Sequence, residues 1–250
     1  MTIQRGPLSK PNAPASTGPK KPTILCLHGG GTNRTIFNIQ TIRIQRALAT
    51  TFDFLFIDAP FEAPPGPGVM PTFEGCGPFY RWTKPGVPDD LPEETHKLLH
   101  ETLADPTRNF IGIMGFSQGA KTAAGLVLEQ QLKAKNAPDS VPKGGKPGQF
   151  KFGIFLNAVY PPLVLGMTDE EKSELINLPS LHVIGTVDPF NEESHALYGE
   201  HFNQRKARKV EFELGHKLPT SEKETARIAG EINRLYRETS GRPVGASRAR

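Results

Sequence analysis

Six apolar runs of strand length mark out the chain: Thr23–His28, Phe52–Asp58, Phe110–Met114, Phe152–Asn157, Leu181–Gly185 and Lys209–Leu214. They read as nearly continuous hydrophobic stretches rather than as in-and-out alternation. That is the pattern of parallel strands covered on both faces. Between them lie segments with helical spacing, about Thr35–Ala49, Glu93–Ala104, Ala120–Lys135, Glu192–Asn203 and Thr220–Tyr236. The last has Thr220 or Ser221 available as N-cap and acids in its first turn. Strands that alternate with helices predict an α/β fold, a mostly parallel, doubly wound sheet with flanking helices. A length of 250 residues suits one such domain of ordinary size, or at most two small ones.

Charge narrows the range of partners. The formal net charge is +4, but Arg5, Lys10, Lys20 and Lys21 carry +4 by themselves. Residues 237–250 hold four arginines against Glu238, which leaves the rest of the chain mildly acidic. No basic face interleaved with aromatics is visible, so nucleic acid is not an expected partner. No run of about eighteen apolar residues predicts a membrane span. Residues 1–21 have no apolar core and read as a flexible arm rather than a signal peptide. The expected organisation is therefore an arm over 1–21, a folded domain over 22–236 and a basic tail over 237–250. Cys26 falls inside an apolar run and reads as a small core residue, whereas Cys76 lies in a glycine-rich loop. Two cysteines in a chain this long do not suggest a disulfide scaffold, and the expected setting is reducing and cytoplasmic.

Two long connections break the rhythm. Residues 59–91 are rich in proline and glycine yet carry Phe61, Phe73, Phe79, Tyr80 and Trp82. A connection of that length is unusual unless it has a function or is disordered, and aromatics argue against disorder. It reads as part of a substrate pocket, with Phe79, Tyr80 and Trp82 as lining residues; a packed surface loop is the alternative. A second insertion at 158–179 is expected to cover the same site. The polar stretch 137–149 reads as a solvated linker, and its role is not apparent.

The chemistry is carried by Gly115-Phe116-Ser117-Gln118-Gly119, placed between an apolar run and a helical segment. A G-x-S-x-G there is a nucleophile elbow, with the serine on a sharp strand-to-helix turn. A serine hydroxyl needs a base, and the base needs a partner that sets its tautomer. On such folds the order along the chain is Ser, Asp, His, each after a strand. Asp188 follows one apolar run and His216 the next, so both are candidates; a turn aspartate before Pro189 is the other use of Asp188. His96, His100, His195 and His201 fall in helical patterns and read as surface residues, and His182 as a core histidine. No histidine cluster at metal spacing was apparent, and neither metal nor cofactor is expected. The oxyanion requires amide donors. The backbone N–H of Gln118 is one, and the loop His28-Gly29-Gly30-Gly31-Thr32 offers Gly30, or else Gly31, as the other.

Taken together, six blocks resemble the fungal FSH family of serine hydrolases, which have the α/β-hydrolase fold. They are Leu27-His28-Gly29 with Gly31-Thr32-Asn33 and Ile36-Phe37, Phe56-Ile57-Asp58-Ala59-Pro60, Gly77-Pro78-Phe79-Tyr80-Arg81-Trp82, the elbow through Ala120, Gly185-Thr186-Val187-Asp188, and Gly215-His216-Lys217-Leu218-Pro219. The resemblance implies Ser117, Asp188 and His216 as nucleophile, acid and base. It implies cleavage of an ester or thioester on a small-molecule or carrier-bound acyl substrate, as in thioesterases of fungal secondary metabolism, with a polyketide synthase among the partners. A general carboxylesterase, or a non-catalytic binding protein on a hydrolase fold, are the alternative readings.

Overall fold

A computed structural model describes residues 21–87, 89–136 and 150–240. Most of the expected arm, the linker at 137–149 and the tail beyond 240 lie outside the described residues. All six apolar runs are strands, and they form one parallel sheet. The strands are β1 (Pro22–Leu27), β2 (Asp53–Ile57), β5 (Asn109–Phe116), β6 (Phe152–Leu156), β7 (Ser180–Gly185) and β8 (Ala207–Phe212), in the order β2-β1-β5-β6-β7-β8. The five expected helices are α1 (Arg34–Leu48), α2 (Glu93–Leu103), α3 (Gln118–Asn136), α5 (Asn191–His201) and α6 (Glu222–Thr239). Of the two candidate caps for the last, Ser221 is the one used, its hydroxyl accepting from the Glu224 amide at 3.2 Å. That helix passes the expected domain boundary at 236, and Arg208 pairs with Glu238 at 2.7 Å.

Successive residues of a strand point to opposite faces, and β1 shows why its sequence is apolar throughout. Ile24 and Cys26 enter a core layer with Phe37, Ile44, Ile228 and Ile232 of α1 and α6. Leu25 and Leu27 enter the opposite layer, with Leu99, Ala123, Leu126 and Leu197 of α2, α3 and α5. Both faces are covered, so from Ile24 to Leu27 both positions of the alternation are apolar. Cys26 is buried, and both cysteines are free thiols. Among the described residues no helix is long and apolar enough to cross a membrane.

The connection at 59–91 is not the structureless loop its composition suggested. It contains an antiparallel pair, β3 (Phe61–Ala63) and β4 (Phe79–Arg81), in register Phe61 to Arg81. The glycine loop after β1 is tied to this pair. Gly31 N–H donates to the Tyr80 carbonyl at 2.8 Å, and Tyr80 N–H returns to the Thr32 carbonyl at 2.7 Å. Trp82 is fully buried, with its indole N–H donating to the His28 carbonyl at 2.7 Å. The insertion at 158–179 holds a single helical turn, α4 (Asp169–Lys172), capped by Thr168. Its start is drawn against α3, where Leu163 N–H donates to the Lys121 carbonyl at 3.1 Å.

That approach leaves no space at Gly125, where any Cβ would collide with the Leu163 carbonyl oxygen. The obstacle is backbone, so it cannot turn aside as a side chain would. Gly125→Ala is expected to destabilise the fold by about 1–3 kcal/mol or more, although alanine is the better helix former. Urea unfolding measures this, and an unchanged or increased stability would show that α3 and the 158–179 segment can separate freely.

Candidate active site

The order of strands reverses its direction of growth beside β1, which has β2 on one side and β5 on the other. The crevice beyond the carboxyl ends of such a pair is where open α/β sheets bind ligands. Ser117 follows β5 there, and the loop His28–Thr32 follows β1. Ser117 has φ 52°, a left-handed conformation that costs a non-glycine residue about 1–3 kcal/mol. The turn is held by Ser117 N–H to the Leu156 carbonyl at 3.0 Å and Ala120 N–H to the Ser117 carbonyl at 2.9 Å. The flanking glycines meet backbone: a Cβ at Gly115 would strike the Gly119 carbonyl, and one at Gly119 the carbonyls of Leu27 and His28.

The residues beside the serine act as struts. Gln118 was singled out for its amide, but its side chain also has structural work. Its Oε1 accepts from the Trp82 amide at 2.8 Å and its Nε2 donates to Thr83 Oγ1 at 3.0 Å, which links the elbow to the end of β4. His28 is fully buried. Its Nε2 accepts from the Ala59 amide at 3.0 Å, so Nδ1 carries the proton and faces the Gly29 carbonyl at 2.8 Å. Burial lowers its pKa to about 4, against weaker raising effects from Gly29 and Asp58. The ring is neutral at pH 7, and both nitrogens serve to shape the loop after β1.

Asp188 and His216 come together as the chain order predicted. His216 Nδ1 lies 2.8 Å from Asp188 Oδ2, and the Asp188 side chain is fully buried. The other carboxylate oxygen accepts from the Phe190 amide at 2.8 Å. The imidazole rests against Phe116 and Phe190, each with its ring centroid 4.9 Å away. Asn157, at the end of β6, was not picked out from the sequence. It has φ 40°, a conformation asparagine tolerates better than most residues. Its Oδ1 accepts from the Gly185 amide at 3.0 Å, and its Nδ2 donates to the carbonyls of Gly215 at 3.3 Å and Lys217 at 3.1 Å. One buried side chain thus joins the loop that carries Asp188 to the loop that carries His216.

Ser117 and His216 line a common cavity of about 570 Å³, together with Gly29, Gly30 and Gln118. The remaining wall departs from expectation. The 59–91 connection contributes Pro67, Val69 and Phe73, whereas Phe79, Tyr80 and Trp82 do not line it. Phe79 and Tyr80 lie in β4 and Trp82 just after it, and all three are turned to structural use, with Trp82 in the core. Val159 and Tyr160 come from the 158–179 insertion. Lys121, one turn beyond the elbow, is a nearly buried cation in the wall, with Nζ 2.9 Å from Asp89 Oδ1. Away from the cavity, the described residues also bring together a histidine pair and a carboxylate that the sequence reading did not group. His96 and His100 are one turn apart on α2 and converge on Glu129 of α3. Their spacing was visible in the sequence, but the third ligand is supplied by packing.

A family model described as Serine hydrolase (FSH1) matches residues 16–228. The chain belongs to this family. It is 37% identical over 234 residues to a protein of Gibberella fujikuroi named Esterase FUS5, with 90% of this chain and 91% of that one covered. It is 34% identical over 236 residues to Thioesterase FSL2 of Gibberella zeae, covering 83% and 90%. The fold is that of the carboxylesterase from Mesorhizobium loti, with a TM-score of 0.54 at 15% identity over 85% of this chain and 88% of the other. The chain is accordingly a serine hydrolase of the ester-cleaving class on an α/β-hydrolase fold.

Two outcomes follow from the struts. Asn157→Asp keeps the size of the side chain but turns an acceptor toward two carbonyls. It is expected to lower kcat for ester hydrolysis at least about tenfold, a barrier rise of roughly 1.4 kcal/mol, with the far-UV spectrum unchanged. Equal kcat values would remove Asn157 from the positioning of the two loops. His28, neutral in the fold, takes a proton more readily once unfolded. Stability therefore holds above pH 6.5 and falls as pH drops from 6.5 toward 4, by on the order of 3 kcal/mol across that window. The His28 Cε1 proton resonance should titrate near pH 4, and a midpoint near the ordinary 6.5 would contradict it.

Proposed function

We propose that the enzyme cleaves an ester or thioester through an acyl-Ser117 intermediate, with Asp188 and His216 completing the triad. The observation that carries this is the 2.8 Å contact of His216 Nδ1 with a buried Asp188, in the cavity that Ser117 and the glycine loop also line. With Nδ1–H held by the carboxylate, Nε2 is the basic nitrogen. In this mechanism Nε2 takes the Ser117 proton as Oγ attacks the carbonyl carbon. The amides of Gly30 and Gln118 stabilise the oxyanion. Collapse breaks the bond to the leaving alcohol or thiol, which leaves with the proton held by His216. Water then attacks the acyl-serine as His216 takes its proton; the second collapse breaks the bond to Ser117 Oγ, which receives that proton from His216, and frees the acid.

The cavity supports an acyl chain of moderate size that carries polar groups. Val69, Phe73, Tyr160 and Leu218 offer apolar wall, while Lys121 and Glu193 offer charge. The names of the relatives in Gibberella, one an esterase and one a thioesterase, support both bond types. We favour release of a carrier-bound acyl chain, with a polyketide synthase as the supplier of substrate in a cytoplasmic setting that suits two free thiols.

Ser117→Ala is expected to reduce turnover of short-chain p-nitrophenyl esters and of acyl thioesters at least about 1000-fold, and to abolish labelling by a fluorophosphonate probe. Unchanged rates would exclude the mechanism. In the wild-type enzyme, a higher kcat/KM for acyl thioesters than for matched oxygen esters supports the carrier-bound substrate; the reverse preference argues for a general carboxylesterase.

A further inference from the structure

On the sheet face that carries α2 and α3, a cluster unconnected with the triad gathers three metal-ligating side chains. His96 and His100 are four residues apart on α2, so both rings project from one side of the helix. Their ring centroids are 4.2 Å apart. Glu129 reaches across from α3, with His96 Nε2 3.0 Å from Oε1 and His100 Nε2 3.1 Å from the same oxygen. The second carboxylate oxygen is 3.2 Å from His100 Nε2. The Glu129 side chain is 12% exposed, and those of His96 and His100 are 29% and 36% exposed. An ion would therefore sit at a partly open position, with a mostly buried carboxylate beneath it.

We propose that His96, His100 and Glu129 bind a divalent transition-metal ion, Zn²⁺ by ligand preference, with water completing the coordination. The donor set, two imidazoles and one carboxylate, is one that Zn²⁺ takes readily, and it is too nitrogen-rich for Ca²⁺ or Mg²⁺. The spacing fits as well. A tetrahedral ion with bonds of about 2.0–2.1 Å holds its ligand atoms about 3.3 Å apart. The three donors are already 3.0–3.2 Å from one another along the histidine–carboxylate edges, and all ligand atoms lie within 4.8 Å. Small rotations of the two rings and the carboxylate are enough to open the triangle. Without the ion each Nε2–H donates to the Glu129 carboxylate; on binding, that proton is released to solvent or replaced by one on Nδ1, and Nε2 presents its lone pair to the metal.

Without the ion, the charge of Glu129 is compensated by its neighbours. Burial alone would raise its pKa, but hydrogen bonds from Lys133 and His96 and the charge of His100 outweigh this and lower it. Lys133, one turn further along α3, contacts Glu129 Oε1. The Lys133 side chain is 62% exposed, so it can swing into solvent when a stronger cation arrives. Lys133 is thus the competitor of the metal, and its removal has a predictable sign. Glu129 stands twelve residues along α3 from Ser117, a distance of about 18 Å, so the ion does not belong to the hydrolytic centre.

The test is titration of the metal-stripped full-length enzyme with Zn²⁺ by calorimetry, and with Co²⁺ by visible absorption. One ion per chain and a d–d band of low-symmetry Co²⁺ are expected. His96→Ala, His100→Ala and Glu129→Gln should each weaken Zn²⁺ binding at least about tenfold, whereas Lys133→Ala should tighten it. His216→Ala separates this site from the triad and should leave the stoichiometry unchanged. Equal affinity in the wild type and a His96→Ala/His100→Ala double variant overturns the proposal, as does loss of binding in His216→Ala alone. Should the histidine variants fail to fold, weaker or unchanged binding in Lys133→Ala overturns it by itself.

Discussion

At the junction of β1, β5 and α3, backbone lies directly against backbone. The first turn of α3 rests on the carbonyls of Leu27 and His28, with Gly119 at the point of contact. Everything at the site is referred to that contact. It brings the elbow serine beside the loop that follows β1, and it turns the opening amides of α3 toward the crevice at the sheet switch point. A side chain at Gly119 would push the helix outward and carry Ser117 and Gln118 with it. The left-handed φ of Ser117 is then the consequence of a strand that must become a helix within one residue. The rest of the fold over-determines that conformation, as local strain at a functional site requires.

Polar groups inside the protein extend the same constraint outward. A buried polar side chain is costly unless each of its hydrogen-bonding atoms has a partner. His28, Asn157 and Asp188, with the half-buried Gln118, meet that requirement, and each makes at least one of its bonds across elements. Gln118 ties the elbow to β4, His28 ties the end of β1 to Ala59, and Asn157 joins the loops after β7 and β8. Such bonds fix direction as well as distance, which an apolar core of equal stability would not. The Asp188 carboxylate follows the same logic, with one oxygen for an amide and one for the imidazole. Neither oxygen is left to draw the histidine into a second orientation.

Much of this was legible in the sequence because it follows from short-range rules. The six strands announce themselves by covering both faces of a sheet, and the chain order of serine, acid and base follows from strands that end on one rim. What the sequence hid depends on long-range packing. The aromatics at 79–82 looked like pocket wall because their loop is long. In the fold, the antiparallel pair β3–β4 draws Trp82 inward and gives its indole N–H a backbone partner. Phe73, from a stretch with no strand pattern, faces the cavity instead. Asn157 carried no local signal, since an asparagine after a strand is ordinary. Its importance comes from two loops that are distant in sequence and adjacent in space. His96 and His100 had the spacing of a ligand pair, yet nothing near them marked Glu129 as the third member.

This division has a consequence for how the family can vary. Ser117, Asp188 and His216 follow strand ends and are fixed by backbone contacts, glycines and satisfied polar atoms. Part of the cavity wall comes from other segments, Pro67–Phe73 of the 59–91 connection and Val159–Tyr160 of the 158–179 insertion. These are held from outside the sheet, by Gly66 against the Gly31 loop, by Leu163 against α3 and by Tyr160 against Glu193 and Glu200 of α5. A change in the wall can therefore alter which acyl group fits without disturbing the geometry of Ser117, Asp188 and His216. Lys121 of α3, Glu193 of α5 and Leu218 beside His216 also face the cavity, and they belong to the frame itself. A substitution at one of these positions therefore acts on the wall and on the frame of the site together.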